Sequence, residues 1–319
     1  MSIPVLRTPD AWWVALGDDR VRRIDTDAQT TALLLADREA IIAARDGDGP
    51  TTDVAALSLI SPVTTPCRVV AQMTNYATHV RDSGMDPATV PLTFFRKASG
   101  SVTGPHSDIV KPAHVSLLDY EVEIGLVIGE PIPVGTSIAA GPGLPPQVAA
   151  LVITNDVSAR DIQLPKTQFY EAKSYPTFTP AGPVLLLLEE GDGSRFTDLR
   201  LRLEVNGEIR QDSTVADMIY RPHEALSALA RFQYLDTGDL VLTGTPGGTA
   251  LKAPPKPIEI IGNLLPPAVK WKTFFKRQAN NPRYLHDGDV IETSIATADL
   301  ALDLGVQRNT VRFTADTPS

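Results

Sequence analysis

A single cysteine, Cys67, is all that the 319 residues contain. No intrachain disulfide can form, and zinc sites built on cysteine pairs are excluded. Basic residues are in deficit: 29 Lys and Arg stand against 38 Asp and Glu, for a net charge of −9. A nucleic-acid binder usually shows the opposite balance. Long apolar runs are missing too. No stretch approaches the ~18 residues of a membrane-spanning helix, and the leucines at 185–188 suit a short buried strand. The opening residues lack the basic-then-apolar layout of a secretory leader. The expectation is a cytoplasmic protein with neither membrane nor nucleic acid as partner.

What is present supports a folded enzyme-sized chain. Hydrophobic residues make up 43% and charged residues 21%, ordinary values for a domain with a substantial core. The length allows one large domain or two ordinary ones. The first sixty residues read as a small N-terminal unit, 1–60. Trp12, Trp13 and Val14 suggest a strand, and a helix is expected over 27–45 with Leu33, Leu34, Ile41 and Ile42 on its apolar faces. From 61 to 319, short strand-like runs alternate with turns at 69–73, 122–128, 148–154, 184–188, 199–205, 240–243 and 290–295. Only two further helices are expected, at 76–82 and 222–232. With 27 prolines and 22 glycines, the pattern predicts an α+β, β-rich fold with few helices.

Five consecutive residues, Asp119-Tyr120-Glu121-Val122-Glu123, place three carboxylates at alternate positions. In a continuous strand all three share one face. Two unneutralised carboxylates ~4 Å apart repel by about 4 kcal/mol at an effective dielectric of ~20, a large part of a domain's ~5–15 kcal/mol stability. A divalent cation with oxygen ligands removes that cost; a solvated acidic face is the other reading.

Four further stretches carry chemistry. His79 and Asp82 lie three apart on the expected helix, which Thr74 or Asn75 can cap, and a carboxylate there can orient the imidazole as a general base. A plain surface helix fits the same residues. Asp156 follows a strand and can complete a metal site, with Arg160 and Gln163 as nearby donors; Asp156 and Asp161 also suit turn or cap roles. Lys173 can steady an anion beside a metal or simply be a surface lysine. Residues 242–248 form a glycine-rich turn whose N–H groups, with the Thr245 hydroxyl, can hold a carboxylate. It lacks the lysine of a phosphate loop. Residues 250–286 carry seven basic residues (Lys252, Lys256, Lys270, Lys272, Lys276, Arg277, Arg283) against one acidic, Glu259. Trp271, Phe274 and Phe275 fall there at helical spacing. A lid over an anionic substrate, a surface or intersubunit excursion and a membrane-surface segment all remain open.

Together these stretches resemble the fumarylacetoacetate hydrolase family. The resemblance rests on Asn-Tyr-Ala-Thr-His-Val at 75–80, Asp-Tyr-Glu-Val-Glu-Ile-Gly at 119–125 and Asn-Asp-Val-Ser-Ala-Arg-Asp-Ile-Gln at 155–163. Ala-Lys-Ser-Tyr at 172–175, Pro-Ala-Gly-Pro at 180–183, Val-Asn-Gly-Glu at 205–208, Leu-Thr-Gly-Thr-Pro-Gly-Gly at 242–248 and Arg-Asn-Thr-Val at 308–311 extend it. It spans about 61 to 313 and implies a mixed β-sheet catalytic domain over 61–319, interrupted by an insertion at about 250–286. It also implies a homodimer binding Mg²⁺, or Mn²⁺ or Ca²⁺.

By position, Glu121, Glu123 and Asp156 become metal ligands; His79, Asp82 and Lys173 become catalytic; Arg160, Gln163 and Thr245 contact substrate. The family commonly has glutamate where Asp82 stands. The implied activity is hydrolytic carbon–carbon cleavage of a β-diketo acid such as an acylpyruvate, a small 2-oxo acid, in catabolism. Decarboxylation or tautomerisation, and isomerisation or hydration of related 2-oxo acids, are the alternatives.

Overall fold

The computed structural model describes residues 2–141, 143–166, 168–254, 258 and 264–314. Among these, one long mixed sheet runs in the order Thr51–Asp53, Arg20–Arg23, Trp12–Gly17, Ile3–Arg7, Leu185–Leu187, Val148–Asn155, Val122–Ile128, Leu240–Leu242, Val69–Met73 and Thr93–Lys97. Every neighbour pair is antiparallel except Leu240–Leu242 beside Val69–Met73. A second sheet runs Glu208–Thr214, Arg200–Val205, Val290–Ala296, Asp303–Phe313 and Ile109–Lys111, its last pair parallel. The β-rich α+β expectation holds. The expected strands appear within a residue or two, while Thr93–Lys97, Glu208–Thr214 and Asp303–Phe313 are additional.

The central strands are covered on both faces, so their sequences read as nearly unbroken apolar runs. All seven residues of Val122–Ile128 are buried. Val122, Ile124, Leu126 and Ile128 face the second sheet and pack with Leu201, Leu203, Ile291 and Ile295. Val127, with Val152, Leu187 and Leu240, faces the other way onto a cluster containing Val5, Trp12, Leu34 and Ile41. That outer layer includes helices Thr31–Ala36 and Arg38–Asp46, where a single helix was expected; Thr30 caps the first by accepting from the Leu33 N–H. Of the four apolar residues expected there, Leu34 and Ile41 are buried while Leu33 and Ile42 are exposed.

The first sixty residues are continuous with this architecture. Ile3, Pro4 and Val5 pair with Leu187, Leu186 and Leu185. A chain lacking residues 2–60 is therefore expected to bare the edge of Leu185–Leu187 together with an apolar sheet face. It should show no cooperative thermal melt and should collect in the insoluble fraction; a soluble, cooperatively melting 61–319 fragment would contradict this.

Candidate active site and metal centre

Two antiparallel neighbours end side by side to build the site. Val122 pairs with Asn155 and Glu123 with Thr154, so Glu121 at one strand's start meets Asp156 just past the other's end. The Asp156 N–H donates to the Glu121 carbonyl at 2.8 Å, and the Asn155 side chain accepts from the Glu121 N–H at 2.9 Å. Carboxylate oxygens of Glu121, Glu123 and Asp156 lie within 4.8 Å of one another, all buried.

The strict alternation expected for Asp119 breaks before this point. Leu118–Asp119 is a separate short strand paired with Ser158–Ala159, and its carboxylate serves a different purpose. Asp119 accepts from Arg160 Nε at 2.8 Å and from the N–H groups of Ala250 and Leu251 at 2.8 and 3.1 Å. Arg160 also donates to Gln163 Oε1 at 2.8 Å and to Glu121. The guanidinium is thus committed to three protein partners and orients Glu121. Gln163, whose oxygen it holds, is left with its amide N–H end as donor.

Lys173 is fully buried and donates to Glu121 Oε2 and Asp156 Oδ2, both at 2.7 Å. Sequence reasoning missed a second lysine. Lys97, at the end of Thr93–Lys97, donates to Asp156 and to the Phe178 carbonyl. A basic residue closing a strand whose alternate position, Phe95, faces the same cavity as the acidic cluster is the signal that marks it.

These contacts split the carboxylates electrostatically. Burial pushes the Glu121 pKa upward, but Arg160 and Lys173 outweigh it and hold the group below the ordinary carboxylate range. Glu123 forms no ion pair among the described residues. Burial, then Asp156 and Glu121, raise its pKa well above normal, against the nearby charge of Lys173 and a hydrogen bond from the Gly244 N–H at 2.6 Å. Gly244 is needed for that approach: its φ is +85°, and a Cβ would sit 2.7 Å from that of Asn75. Burial lowers the Lys173 pKa, but Asp156 and Glu121 override it and keep the ammonium charged.

His79 sits on helix Ala77–Asp82, lines the same cavity and has a buried Nδ1 with no hydrogen-bond partner. Burial lowers its pKa, so the imidazole is neutral at pH 7. Neither Thr74 nor Asn75 caps this helix. The Asp217 carboxylate accepts from the Thr78 N–H at 3.0 Å, while the Asn75 side chain bridges Tyr220 and Thr243.

The expected His79–Asp82 pairing is absent. Asp82 Oδ2 accepts from the Gly248 N–H at 3.1 Å, and Oδ1 lies 3.7 Å from Lys252 Nζ. The short aspartate side chain is spent on the glycine turn. Thr245 lines the cavity, yet its hydroxyl donates to the Val122 carbonyl and accepts from Gln211 Nε2, both at 2.9 Å.

The insertion closes over this floor. Its helix, Pro267–Gln278, places Lys270, Trp271, Phe274 and Arg277 along a cavity of about 930 Å³ that also contains the acidic cluster. The lid reading of the basic segment is the one this placement favours. Lys256 and Glu259 lie outside the described residues. No helix among the described residues is long and apolar enough to cross a membrane.

A β-rich fold with a buried carboxylate triad at the end of two strands defines a family of enzymes, and comparison with known proteins identifies it. The chain belongs to the fumarylacetoacetate hydrolase family: residues 68–312 match the family model described as fumarylacetoacetate (FAA) hydrolase C-terminal. It is 33% identical over 202 residues to oxaloacetate tautomerase FAHD2A, mitochondrial, of Bos taurus, a match covering 62% of each chain. The chain thus spans less than two thirds of that relative. It is 32% identical over 259 residues to 2,4-didehydro-3-deoxy-L-rhamnonate hydrolase of a Sphingomonas strain, covering 78% of this chain and 86% of that one. Among solved structures, a probable 2-hydroxyhepta-2,4-diene-1,7-dioate isomerase from Mycobacterium abscessus is 28% identical with a TM-score of 0.73, covering 99% of this chain and all of that one.

The donor set fits a hard divalent cation: three buried carboxylates, one of them lacking a cationic partner among the described residues. Glu123 makes the fit testable. Without metal, the folded chain keeps a proton on Glu123 to a higher pH than the unfolded chain does. Folded stability therefore falls as pH rises from the ordinary glutamate range through the raised value. A bound divalent ion displaces that proton and removes the loss. The rise in Tm on adding Mg²⁺ or Mn²⁺ is expected to widen between pH ~5 and ~8; an increment that stays flat or shrinks would refute it.

Proposed function

We propose that the protein is a divalent-metal-dependent hydrolase that cleaves a carbon–carbon bond of a 2,4-dioxo acid of the acylpyruvate type. The observation that carries this reading is His79: a neutral imidazole lining the cavity that holds the carboxylate triad. Its relative matched over most of both chains is a hydrolase by name. When bound by Glu121, Glu123 and Asp156, Mg²⁺ or Mn²⁺ supplies positive charge that anchors an anionic 2-oxo acid head and offsets negative charge developing there. A homodimer in the cytoplasm belongs to the same proposal.

The chain's own groups divide the remaining work. The His79 imidazole takes a proton from water as the water oxygen bonds to the distal carbonyl carbon. The bond from that carbon to the neighbouring methylene then breaks, and its electron pair goes to the methylene carbon, which is protonated to a methyl group. Acylpyruvate anion plus water thus gives a carboxylate, pyruvate and one proton. Lys173, held charged between Glu121 and Asp156, lowers the energy of the negative charge at the proximal ketone. The Gln163 amide N–H group is a donor for the substrate oxygens.

Asp82's commitment to Gly248 favours a second reading. No carboxylate among the described residues hydrogen-bonds His79, and keto–enol tautomerisation needs no hydrolytic water; oxaloacetate tautomerase is what the 33%-identical relative is named. The products distinguish the two. Hydrolysis releases equal amounts of carboxylic acid and pyruvate from acetylpyruvate in the presence of Mg²⁺ or Mn²⁺. Tautomerisation of oxaloacetate changes its ultraviolet absorbance and releases nothing. For the hydrolase, His79→Ala is expected to lower kcat by ~10²–10⁴-fold, and Asp82→Ala by less than about tenfold, because Asp82 does not touch His79. Undiminished acid release by His79→Ala would end the hydrolase reading.

A further inference from the structure

The cavity is much larger than its polar floor. About 930 Å³ lies near the top of the ≈300–1,000 Å³ range of pockets that enclose drug-sized molecules. Glu121, Glu123, Asp156 and Lys173 take up one end. Much of the remaining lining is apolar: Met73, Phe95 and Phe169 on the body, and Leu265, Trp271 and Phe274 on the insertion, with Lys252, Lys270 and Arg277 also on the lining.

Phe95 joins the two regions. Lys173 Nζ lies 5.4 Å from its ring centroid, and the Phe169 ring meets it edge-on with centroids 5.7 Å apart. The insertion side is braced by its own packing. Phe275 packs against the main core, and Trp271 stacks on it with centroids 5.7 Å apart and planes 18° from parallel. The Phe274 ring packs edge-on against both, at 5.9 and 5.8 Å. The insertion thus adds a preorganised aromatic surface to the cavity that Phe95 and Phe169 also line, the same cavity that holds the floor where a 2-oxo acid head would sit.

A three- or four-carbon acid fills only the floor and leaves this surface facing water. An acyl group of aromatic or long alkyl character covers it and gains by removing apolar surface from water. We propose that the substrate carries a bulky apolar acyl group and that Trp271 and Phe274 select it. The proposal rests on the hydrolase reading for the chemistry but concerns a different part of the cavity.

Both parts are separable by experiment on the full-length, Mg²⁺-loaded protein. The first measurement compares kcat/KM for 3-phenylpropanoylpyruvate and acetylpyruvate. The second uses calorimetry to compare binding of N-benzyloxamate and oxamate, whose adjacent carbonyl and carboxylate imitate a 2-oxo acid without a cleavable carbon–carbon bond. Each bulky compound is expected to be favoured by about tenfold or more, since even one methylene in an apolar pocket is worth ~10–200-fold. Trp271→Ala and Phe274→Ala should each shrink those ratios toward one. Both side chains are only partly buried on a surface helix, so the fold survives the change.

Tighter N-benzyloxamate binding with no cleavage of either acylpyruvate would overturn hydrolysis and uphold the apolar subsite. Equal affinities, with acetylpyruvate cleaved as well as the bulky substrate, would overturn the subsite and uphold hydrolysis. Ratios untouched by both substitutions would overturn the role given to Trp271 and Phe274.

Discussion

Charge neutralisation at the ends of two buried strands is the constraint on which the rest depends. Asp119, Glu121, Glu123 and Asp156 are all withdrawn from water, and so are Lys97, Lys173 and Arg160. Any one of these left unpartnered would cost several kcal/mol, so the surrounding elements are arranged to supply partners. Short helices Arg160–Gln163 and Tyr170–Lys173 each deliver one cation, and Thr93–Lys97 delivers the third. Glu123 alone receives only a backbone N–H from the glycine turn. The site is consequently balanced except at one carboxylate, where a divalent ion would complete it.

Covering the sheet on both faces follows from the same demand. Ion pairs strengthen as water is excluded, and Val122–Ile128 can exclude it only with the second sheet on one side and the N-terminal strands and helices on the other. The N-terminal residues therefore bear on the chemistry without touching it.

Much of this was legible in the residues themselves. The apolar runs at 69–73, 122–128 and 148–154 predicted strands because burial on both faces leaves nothing polar to blur them. Alternation also put Glu121 and Glu123 on one face, and the resemblance to the family joined Asp156 and Lys173 to them. What remained hidden depended on direction rather than identity. The chain turns between Asp119 and Glu121, so period-two reasoning put Asp119 on one face with Glu121 and Glu123 when it holds Arg160 instead. Helical spacing allowed His79 to face Asp82, but a competing N–H at Gly248, 166 residues away in sequence, claims that carboxylate. Lys97 escaped notice because the strand Thr93–Lys97 was not expected, and the fold walls in the end that carries it.

Asp119 also anchors the insertion. It grips the N–H groups of Ala250 and Leu251, groups that every residue except proline possesses. On the return side, the Asn281 side chain donates to the Ala250 carbonyl at 3.0 Å, and Arg283 to the Gly248 carbonyl at 2.7 Å. The segment is thus clasped at its two roots by main-chain contacts that are blind to what lies between them. Such a joint behaves as a socket: the stretch after Leu251 and before Asn281 can diverge, lengthen or be exchanged while the charged floor keeps its geometry. One scaffold can in this way pass from substrate to substrate without rebuilding its chemistry.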